Sequence, residues 1–344
     1  MGEKAKGRLI LLAKVLVATA LLTWLLRGGN LDLGALVVVA RTPWLLATNF
    51  AMWAFVAVVL GGLRWRVLLT LAGAHPKLSR VFSLQLVALF FNVVIPGNVG
   101  GDVLKALYVA RNEDADKRAP ILVVVFVERM LGLSGLVALV LFVTAVRFPT
   151  LWSTPSLRPL VMSVGLLGFG FVLVPALIVL LMRRFGERIE ARLDGPSRLA
   201  GLARKLVQAF RLMATRPGPL VGGMLISILM HGITVAWFAL LAREIEGQAA
   251  SFSAVATIYP LGVLTMILPI SPAGVGVGHA AFEKLFAMIG LTGGSTVFNV
   301  FLVGQIIPCT IGAIPYVSLR SKAPLSASEE TMEPAEPVAD PSQP

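Results

Sequence analysis

The stretch "NVVIPGNVGGDVLKALYVAR", residues 92–111, interrupts a chain that is otherwise rich in Leu, Val and Ala. It places a proline, three glycines, an aspartate and a lysine between two strongly apolar runs. Inside a bilayer, a broken helix is tolerated only where its backbone is buried in protein or lines a cavity. If the chain spans a membrane, this stretch therefore predicts a helix break at a functional cavity.

The composition is typical of a membrane protein. Hydrophobic residues make up 57% of the 344 positions and charged residues 14%, whereas a soluble domain carries about a quarter charged residues. Apolar runs of roughly 18 or more residues indicate membrane-spanning helices. Such runs lie near residues 9–26, 44–63, 120–146, 159–182, 219–242 and 296–318. We therefore predict an all-α polytopic membrane protein.

Two further apolar regions, residues 81–111 and 252–290, are each too long for one helix and are broken near the middle. The breaks are "IPGNVGG" at 95–101 and "PISPAGVGVG" at 269–278. We predict that both regions are re-entrant hairpins, which gives six spans and two hairpins, or eight hydrophobic segments. The candidate helix-break and cavity-lining residues are Asn92, Pro96, Gly97, Asn98, Gly100, Gly101, Pro272, Gly274, Gly276 and Gly278.

The distribution of Lys and Arg favours the hairpins over full crossings. With hairpins, 21 of the 30 basic residues lie in cytoplasmic segments, namely 1–8, 64–80, 111–119, 183–216 and 319–344. Full crossings would move 12 of them outside, against the positive-inside rule. We expect an uncleaved first helix, cytoplasmic N- and C-termini and a bacterial inner membrane. Loop charges also account for the net charge of +12 without a nucleic-acid partner.

The hairpin threading predicts an inverted repeat within a transmembrane domain of residues 1–320. Two halves, 9–146 and 159–318, would each contain two helices, a hairpin and a helix in opposite orientations. Many transporters have this arrangement, with the binding site where the broken helices meet. Residues 183–216 form a basic amphipathic segment that we expect on the inner leaflet. The Pro-rich acidic tail, residues 321–344, is predicted to be disordered.

Charges within the apolar segments are the candidate functional groups, because each costs roughly 2.5–3.5 kcal/mol at a helix centre on insertion scales. Asp102 and Lys105 are three residues apart and hence lie on one helix face. The predicted substrate-binding residues are Lys105, Arg129, Asp102, Glu128, His279 and Glu283. The cations and the helix N-termini after each break suit a phosphate. The acids and the histidine would balance charge or carry coupling protons. The structural alternative is that these charges only pair with one another and hold helices in register.

A catalytic alternative comes from "GLSG" at 132–135, which matches the short motif of intramembrane serine proteases. Ser134 would be the nucleophile and His231 the base. The match is short and His231 is better explained as a hydrogen-bonded packing residue, so this is a remote alternative. The single cysteine, Cys309, and the lack of a metal-ligand motif or a Walker motif predict no catalytic residue, no metal, no cofactor and no ATP-driven pump.

Four motifs resemble the lysylphosphatidylglycerol synthase transmembrane-region family. They are "LRWRVLL" at 63–69, "FNVVIPGNVGGDVLKAL" at 91–107, "VERMLGL" at 127–133 and "LPISPAGVGVGHAAFEKLFAMIG" at 268–290. The resemblance implies a flippase-like protein that moves or handles a polar lipid. His279 stands where the family usually has an acid, and Lys105 replaces the commoner arginine. The chain ends in an acidic tail instead of an aminoacyl-transfer domain, so lipid aminoacylation is not expected.

The sequence therefore predicts a non-enzymatic flippase or transporter of a phosphate-bearing lipid, whose headgroup passes through a cavity near the bilayer midplane. The partners would be membrane lipids. The alternative is a membrane accessory subunit that positions a lipid-modifying or glycosyl-transferring enzyme.

Overall fold

The computed structural model describes residues 42–94, 100–153, 155, 158–193, 198–247, 250–266 and 276–316. Within these residues the chain forms helices and their connections, and no β-strand. The helices are α1 (Pro43–Ala72), α2 (Leu78–Val94), α3 (Gly100–Ala110), α4 (Ala115–Val146), α5 (Phe148–Ser153), α6 (Arg158–Arg192), α7 (Arg198–Thr215), α8 (Pro217–Glu246), α9 (Phe252–Thr265), α10 (Val277–Met288) and α11 (Gly294–Ile311).

Five of the described helices, α1, α4, α6, α8 and α11, are long and apolar enough to cross a bilayer. They coincide with five of the six predicted spans. The predicted first span, residues 9–26, and the predicted tail, residues 321–344, lie outside the described residues. The fold is that of a polytopic all-helical membrane protein.

Helix α1 extends beyond its predicted span of residues 44–63. Ala54–Leu60 form a π-helical segment, and a 3-10 turn at Thr70–Ala72 ends the helix. Gly73 then adopts φ of 70°, the left-handed conformation that commonly terminates helices. The first part of the predicted cytoplasmic segment 64–80 is therefore helical, because the helix continues after the apolar run has ended.

Helices α2 and α3 form an antiparallel hairpin. Near its open end, Arg80 of α2 donates a 3.0 Å hydrogen bond to the carbonyl of Tyr108 in α3. Near the break, Gly101 of α3 packs against the backbone of Ala88 in α2, and a Cβ at this glycine would overlap the Ala88 carbonyl. Glycine is therefore required for the two backbones to approach this closely.

Helices α9 and α10 form a second antiparallel hairpin. Gly262 of α9 packs against the ring of Phe282 in α10, and Gly278 at the start of α10 approaches Met266 at the end of α9. Both long apolar regions are thus pairs of shorter helices, as their Pro- and Gly-rich breaks predict.

Helices α4 and α8 pack together at the centre of the bundle. Gly135 of α4 contacts Ser227 of α8, and such small residues allow close approach of membrane helices. Two hydrophobic cores flank this contact. One surrounds the fully buried Trp65, and the other surrounds Phe238, whose ring centroid lies 4.7 Å from that of Tyr259.

Helix α6 lies at the edge of the bundle, and its outward residues, including Leu166 and Leu180, are highly exposed and apolar. Such a surface is suited to lipid. At its far end α6 packs against α7, where Arg211 pairs with Glu187 and Glu190 of α6.

Helix α7 forms the second part of the predicted amphipathic segment 183–216, and it packs partly against protein. Residues 183–192 of that segment instead continue α6. The ring of Phe210 lies 5.8 Å from that of Phe126 in α4, and Met213 is buried in the Trp65 core. Leu206, on the same apolar stripe, stays exposed. α7 is therefore joined to the bundle by its second half.

Candidate functional site

Four of the six predicted substrate-binding residues come together where α3 packs antiparallel to α4. Lys105 Nζ lies 3.2 Å from Asp102 Oδ1 on its own helix and 2.9 Å from Glu128 Oε2 on α4. Arg129, the next residue of α4, donates from Nε to Asp102 Oδ2 at 2.8 Å and also through Nη2. The two acids and the two bases therefore alternate in one network.

Arg64 of α1 is a fifth member, which the sequence prediction counts only among the basic residues of the segment 64–80. Its Nη2 lies 3.2 Å from Glu128 Oε1, and its Nη1 donates a 3.1 Å hydrogen bond to Ser227 of α8. It reaches these partners because α1 stays helical through this position. The signal that could have revealed it was the motif "LRWRVLL" at 63–69, which contains this arginine. We call Arg64, Asp102, Lys105, Glu128 and Arg129 the charge cluster.

Lys105 is held by uncharged neighbours as well. It has no solvent exposure, its Nζ donates to Gln85 Oε1 at 3.1 Å, and it lies 4.9 Å above the Trp65 ring. Gln85 in turn donates from Nε2 to the carbonyl of Ala57 at 3.0 Å, within the π-helical segment of α1. Burying a charge is costly unless it is paired and hydrogen-bonded, and these contacts meet that condition.

The charge cluster carries a formal charge of +1, because it contains three cations and two carboxylates. Its members are not equally buried. The side chain of Lys105 is inaccessible, whereas that of Arg129 is 34% exposed. The excess positive charge is therefore accessible mainly at the Arg129 guanidinium.

The charge cluster lies deep along the spanning helix α4. Arg118, in the charged first turn of α4, precedes Arg129 by eleven residues, or about 16 Å at 1.5 Å per residue. The hydrocarbon core of a bilayer is about 30 Å thick. Arg129 therefore lies well inside the apolar part of α4, away from its charged first turn.

The first break lies beside the charge cluster. Gly100 and Gly101 begin α3, and the Gly101 amide donates a 2.9 Å hydrogen bond to Asn92 Oδ1 at the end of α2. Asn92 thus satisfies one of the free amides at the start of a helix. Pro96, Gly97 and Asn98 lie outside the described residues.

His279 and Glu283, the other two predicted residues, lie at the second hairpin and contact α11. The Gly276 amide donates to His279 Nδ1 at 3.1 Å, and His279 Nε2 lies 2.5 Å from Asn299 Oδ1. Glu283 Oε2 accepts a 2.9 Å hydrogen bond from the Ser295 amide. A carboxylate there stabilises the N-terminus of α11.

The structure thus divides the six predicted residues between two places. The described contacts of His279 and Glu283 do not reach the charge cluster. At the second break, Gly276 precedes α10 with φ of 84° and Gly278 packs against the Phe298 ring. Pro272 and Gly274 lie outside the described residues.

A buried amide network that the sequence analysis missed joins α1, α8 and α11. Asn49 donates from Nδ2 to the Val300 carbonyl at 2.6 Å and accepts from Trp237 Nε1 at 2.7 Å. An asparagine within the apolar run 44–63 was the available signal. Because such bonds join helices in membranes, this network stabilises the half of the bundle opposite the charge cluster.

Ser134 and His231 each hydrogen bond to a backbone carbonyl on another helix. The Ser134 hydroxyl donates to Phe171 at 3.2 Å, and His231 Nε2 lies 3.0 Å from the oxygen of Gly132. Among the described contacts, no hydrogen bond joins the two side chains. Their geometry is that of residues that hold helices together.

These features define a class: a polytopic helical membrane protein with a buried, net positive charge cluster beside a helical hairpin. Residues 11–312 match the family described as the lysylphosphatidylglycerol synthase TM region. The chain belongs to this family, as its sequence motifs predict. It is 26% identical over 271 residues to a UPF0104 membrane protein of Methanothermobacter thermautotrophicus, covering 73% of this chain and 75% of that protein. No solved structure matches the chain significantly.

Proposed function

We propose that the protein moves a lipid with a phosphate-bearing headgroup across the membrane, and that the charge cluster binds this headgroup. The observation that carries the proposal is the net positive charge of the cluster, which lies well inside the apolar part of α4 with Arg129 partly accessible. Ionisable groups inside a membrane commonly mark a substrate pathway. A headgroup phosphate supplies the negative charge that the cluster lacks.

When no lipid is bound, the Asp102 carboxylate would occupy the donors of Arg129 that bind the phosphate. It occupies the Nε and Nη2 donors of Arg129, which form the fork that binds phosphates bidentately. When a phosphate takes those donors, Asp102 still lies 3.2 Å from Lys105 Nζ. The exchange therefore leaves no carboxylate or guanidinium unpaired, which keeps the barrier to binding and release low.

The hairpins would bring the helix breaks into the membrane from opposite faces. α3 has 11 residues and is about 16 Å long, about half of what is needed to cross the hydrocarbon core. In this proposal both hairpins re-enter, the two halves form an inverted repeat, and both termini lie in the cytoplasm. The headgroup would pass between the breaks while its acyl chains stay in lipid.

The family description adds support, because it names the membrane region of a lipid synthase. All members of the charge cluster lie within residues 11–312, the region that matches the family. Membrane lipids are accordingly the proposed substrates, and the inner membrane of a bacterium the proposed location.

Reconstitution into liposomes tests the proposal. Anionic, zwitterionic and aminoacylated lipids with a headgroup label would be compared, and transbilayer movement followed by the labelled fraction that an impermeant quencher reaches. Wild type should accelerate movement of at least one of these lipids, and Arg129→Gln should slow it by about tenfold or more, the loss expected for one charge-assisted hydrogen bond.

Arg66→Gln is the matched control, because Arg66 is exposed and lies on α1 two residues after a cluster member. It should move lipid at the wild-type rate. No movement of any lipid by wild type, or equal rates for Arg129→Gln and wild type, would contradict the proposal.

A second candidate is an accessory subunit for a membrane enzyme, and one observation favours it. α6 has 35 residues, or about 52 Å, so its last turns reach beyond the hydrocarbon core and carry α7 with them. Such a projection could bind a partner. This candidate predicts that the charge cluster is dispensable and that disrupting α7 abolishes the activity of the partner enzyme.

A further inference from the structure

An apolar groove lies between α6 and the rest of the bundle. It has a volume of about 440 Å³ and is lined by apolar side chains of α4, α6, α7 and α8. Phe126 and Met130 form its α4 wall, Val174 and Ile178 its α6 wall, and Phe210 its α7 wall.

The groove exists because α6 contacts the bundle at two separated places. Towards one end, Gly168 packs against Leu141 and the Phe171 carbonyl accepts the Ser134 hydroxyl. Four turns further on, Gly186 packs against Arg211 of α7. Between these contacts α6 stands away from α4, and the gap runs along the membrane-spanning direction.

Two unpaired arginines lie at the end of the groove next to α7. Arg183 follows the groove residue Val179 by four positions, which places both on one side of α6. Arg216 lies three residues after Met213 and four before Leu220, both of which line the groove. Both arginines are exposed, and among the described contacts neither side chain has an ion-pair partner.

We propose that this groove binds one acyl chain of an anionic glycerophospholipid from the adjacent leaflet, with the lipid phosphate held by Arg183 and Arg216. The groove provides an apolar channel several turns long that ends at two cations. A phospholipid has the same order of parts, a chain followed by an anion. Basic residues near the membrane surface bind anionic headgroups.

The shape of the groove suits a hydrocarbon chain better than a partner helix. A helix is about 10 Å across with its side chains, whereas the groove is a gap of about 440 Å³ between side chains of four helices. A single flexible hydrocarbon chain can follow a gap of this size.

Native mass spectrometry of the detergent-purified protein tests the proposal. Wild type, loaded with an equal mixture of phosphatidylglycerol and phosphatidylcholine, should retain one phosphatidylglycerol preferentially. Gly170 lines the groove, and a Cβ there would meet no atom within 4 Å. Gly170→Phe should therefore fill the groove and lower retention by about tenfold, the effect of unburying as few as two methylene groups.

Gly165→Phe is the matched control. Gly165 is also on α6 with nothing within 4 Å of a Cβ, but it does not line the groove. It should retain lipid as wild type does. If Gly170→Phe and Gly165→Phe retain lipid equally, the groove is not the binding site.

The contribution of Arg183 and Arg216 is measured separately, by the preference for phosphatidylglycerol over phosphatidylcholine. Arg183→Gln combined with Arg216→Gln should abolish the preference for phosphatidylglycerol, whereas Arg192→Gln should keep it. An unchanged preference in the double variant would contradict the assigned phosphate contacts.

Discussion

Arg129 Nε donates a 2.8 Å hydrogen bond to Asp102 Oδ2, and this contact joins the spanning helix α4 to the second arm of the first hairpin. Asp102 also pairs with Lys105, so one carboxylate serves two cations on two helices. The hairpin is therefore held in place by charge as well as by apolar packing.

Removing either partner of this pair should destabilise the protein, and removing both should cost less than the sum. Asp102→Asn leaves the charge cluster with three cations and one carboxylate. We expect a loss of about 3 kcal/mol, at the lower end for a broken buried pair because Arg129 is partly exposed. In the double variant Asp102→Asn/Arg129→Gln, a coupling energy of about 1–3 kcal/mol should be recovered. Thermal unfolding in detergent measures all three variants. Strict additivity would show that the pair is not coupled.

Arg64 should stabilise the protein although it lies just after the apolar run of residues 44–63. Arg64→Gln leaves Ser227 and one oxygen of Glu128 without their charged donor, and a loss of about 1–3 kcal/mol follows from such an unsatisfied buried group. Arg66→Gln, on the exposed side of the same helix, should stay within about 0.5 kcal/mol of wild type. Equal melting temperatures for the two variants would argue against the buried pairing.

Gly101→Ala should separate the arms of the first hairpin. The added methyl group would overlap the Ala88 carbonyl, and overpacking of this kind costs about 1–3 kcal/mol. Gly232→Ala is the control, because nothing lies within 4 Å of its Cβ and alanine favours a helix by about 1 kcal/mol. The first variant should lower the melting temperature, and the second should maintain or raise it. A thermally neutral Gly101→Ala would mean that the arms are not in backbone contact.

Ser134→Ala should keep the lipid-moving activity. The hydroxyl donates to a carbonyl of α6, so its loss should cost about 0.5–1.5 kcal/mol of stability and no function. A fluorophosphonate probe should not label the wild-type serine. Labelling that Ser134→Ala abolishes would instead establish a protease nucleophile.

Cysteine labelling tests the hairpin threading. Cys309 is buried and would be replaced first. His75→Cys and Asn112→Cys flank the first hairpin and should react from the same side of the membrane. Ser251→Cys and Thr292→Cys flank the second and should both react from the opposite side. Reaction of His75→Cys and Asn112→Cys from opposite sides would require α2 and α3 to cross fully.

Much of the fold can be predicted because hydropathy and helix breakers act locally. The apolar run at 120–146 becomes a spanning helix, and the glycines at 100 and 101 begin a new helix where the pattern breaks. The pairing of Asp102 with Lys105 also follows from local geometry, since residues three apart share a helix face.

The rest of the site depends on contacts that no local pattern encodes. Gln85 is one amide in an apolar helix, and only the packing of α2 beside α3 brings it to Lys105. Arg64 follows the end of the apolar run, where hydropathy falls, and hydropathy alone does not show that the helix continues and brings it to Glu128. The position of His279 relative to Lys105 depends on how the two hairpins pack in the bundle. In the structure, His279 contacts Asn299 of α11.

The π-helical segment Ala54–Leu60 has a consequence for the register of α1. A π-helical turn amounts to one residue added to an ordinary helix, and each residue turns a helix by about 100°. Removing one residue there would rotate Arg64 out of reach of Glu128 while leaving the apolar span long enough. The π-helical segment therefore turns an arginine of α1 towards the interior of the bundle, and a one-residue deletion within it should disrupt the charge cluster without shortening the span below the length of a bilayer.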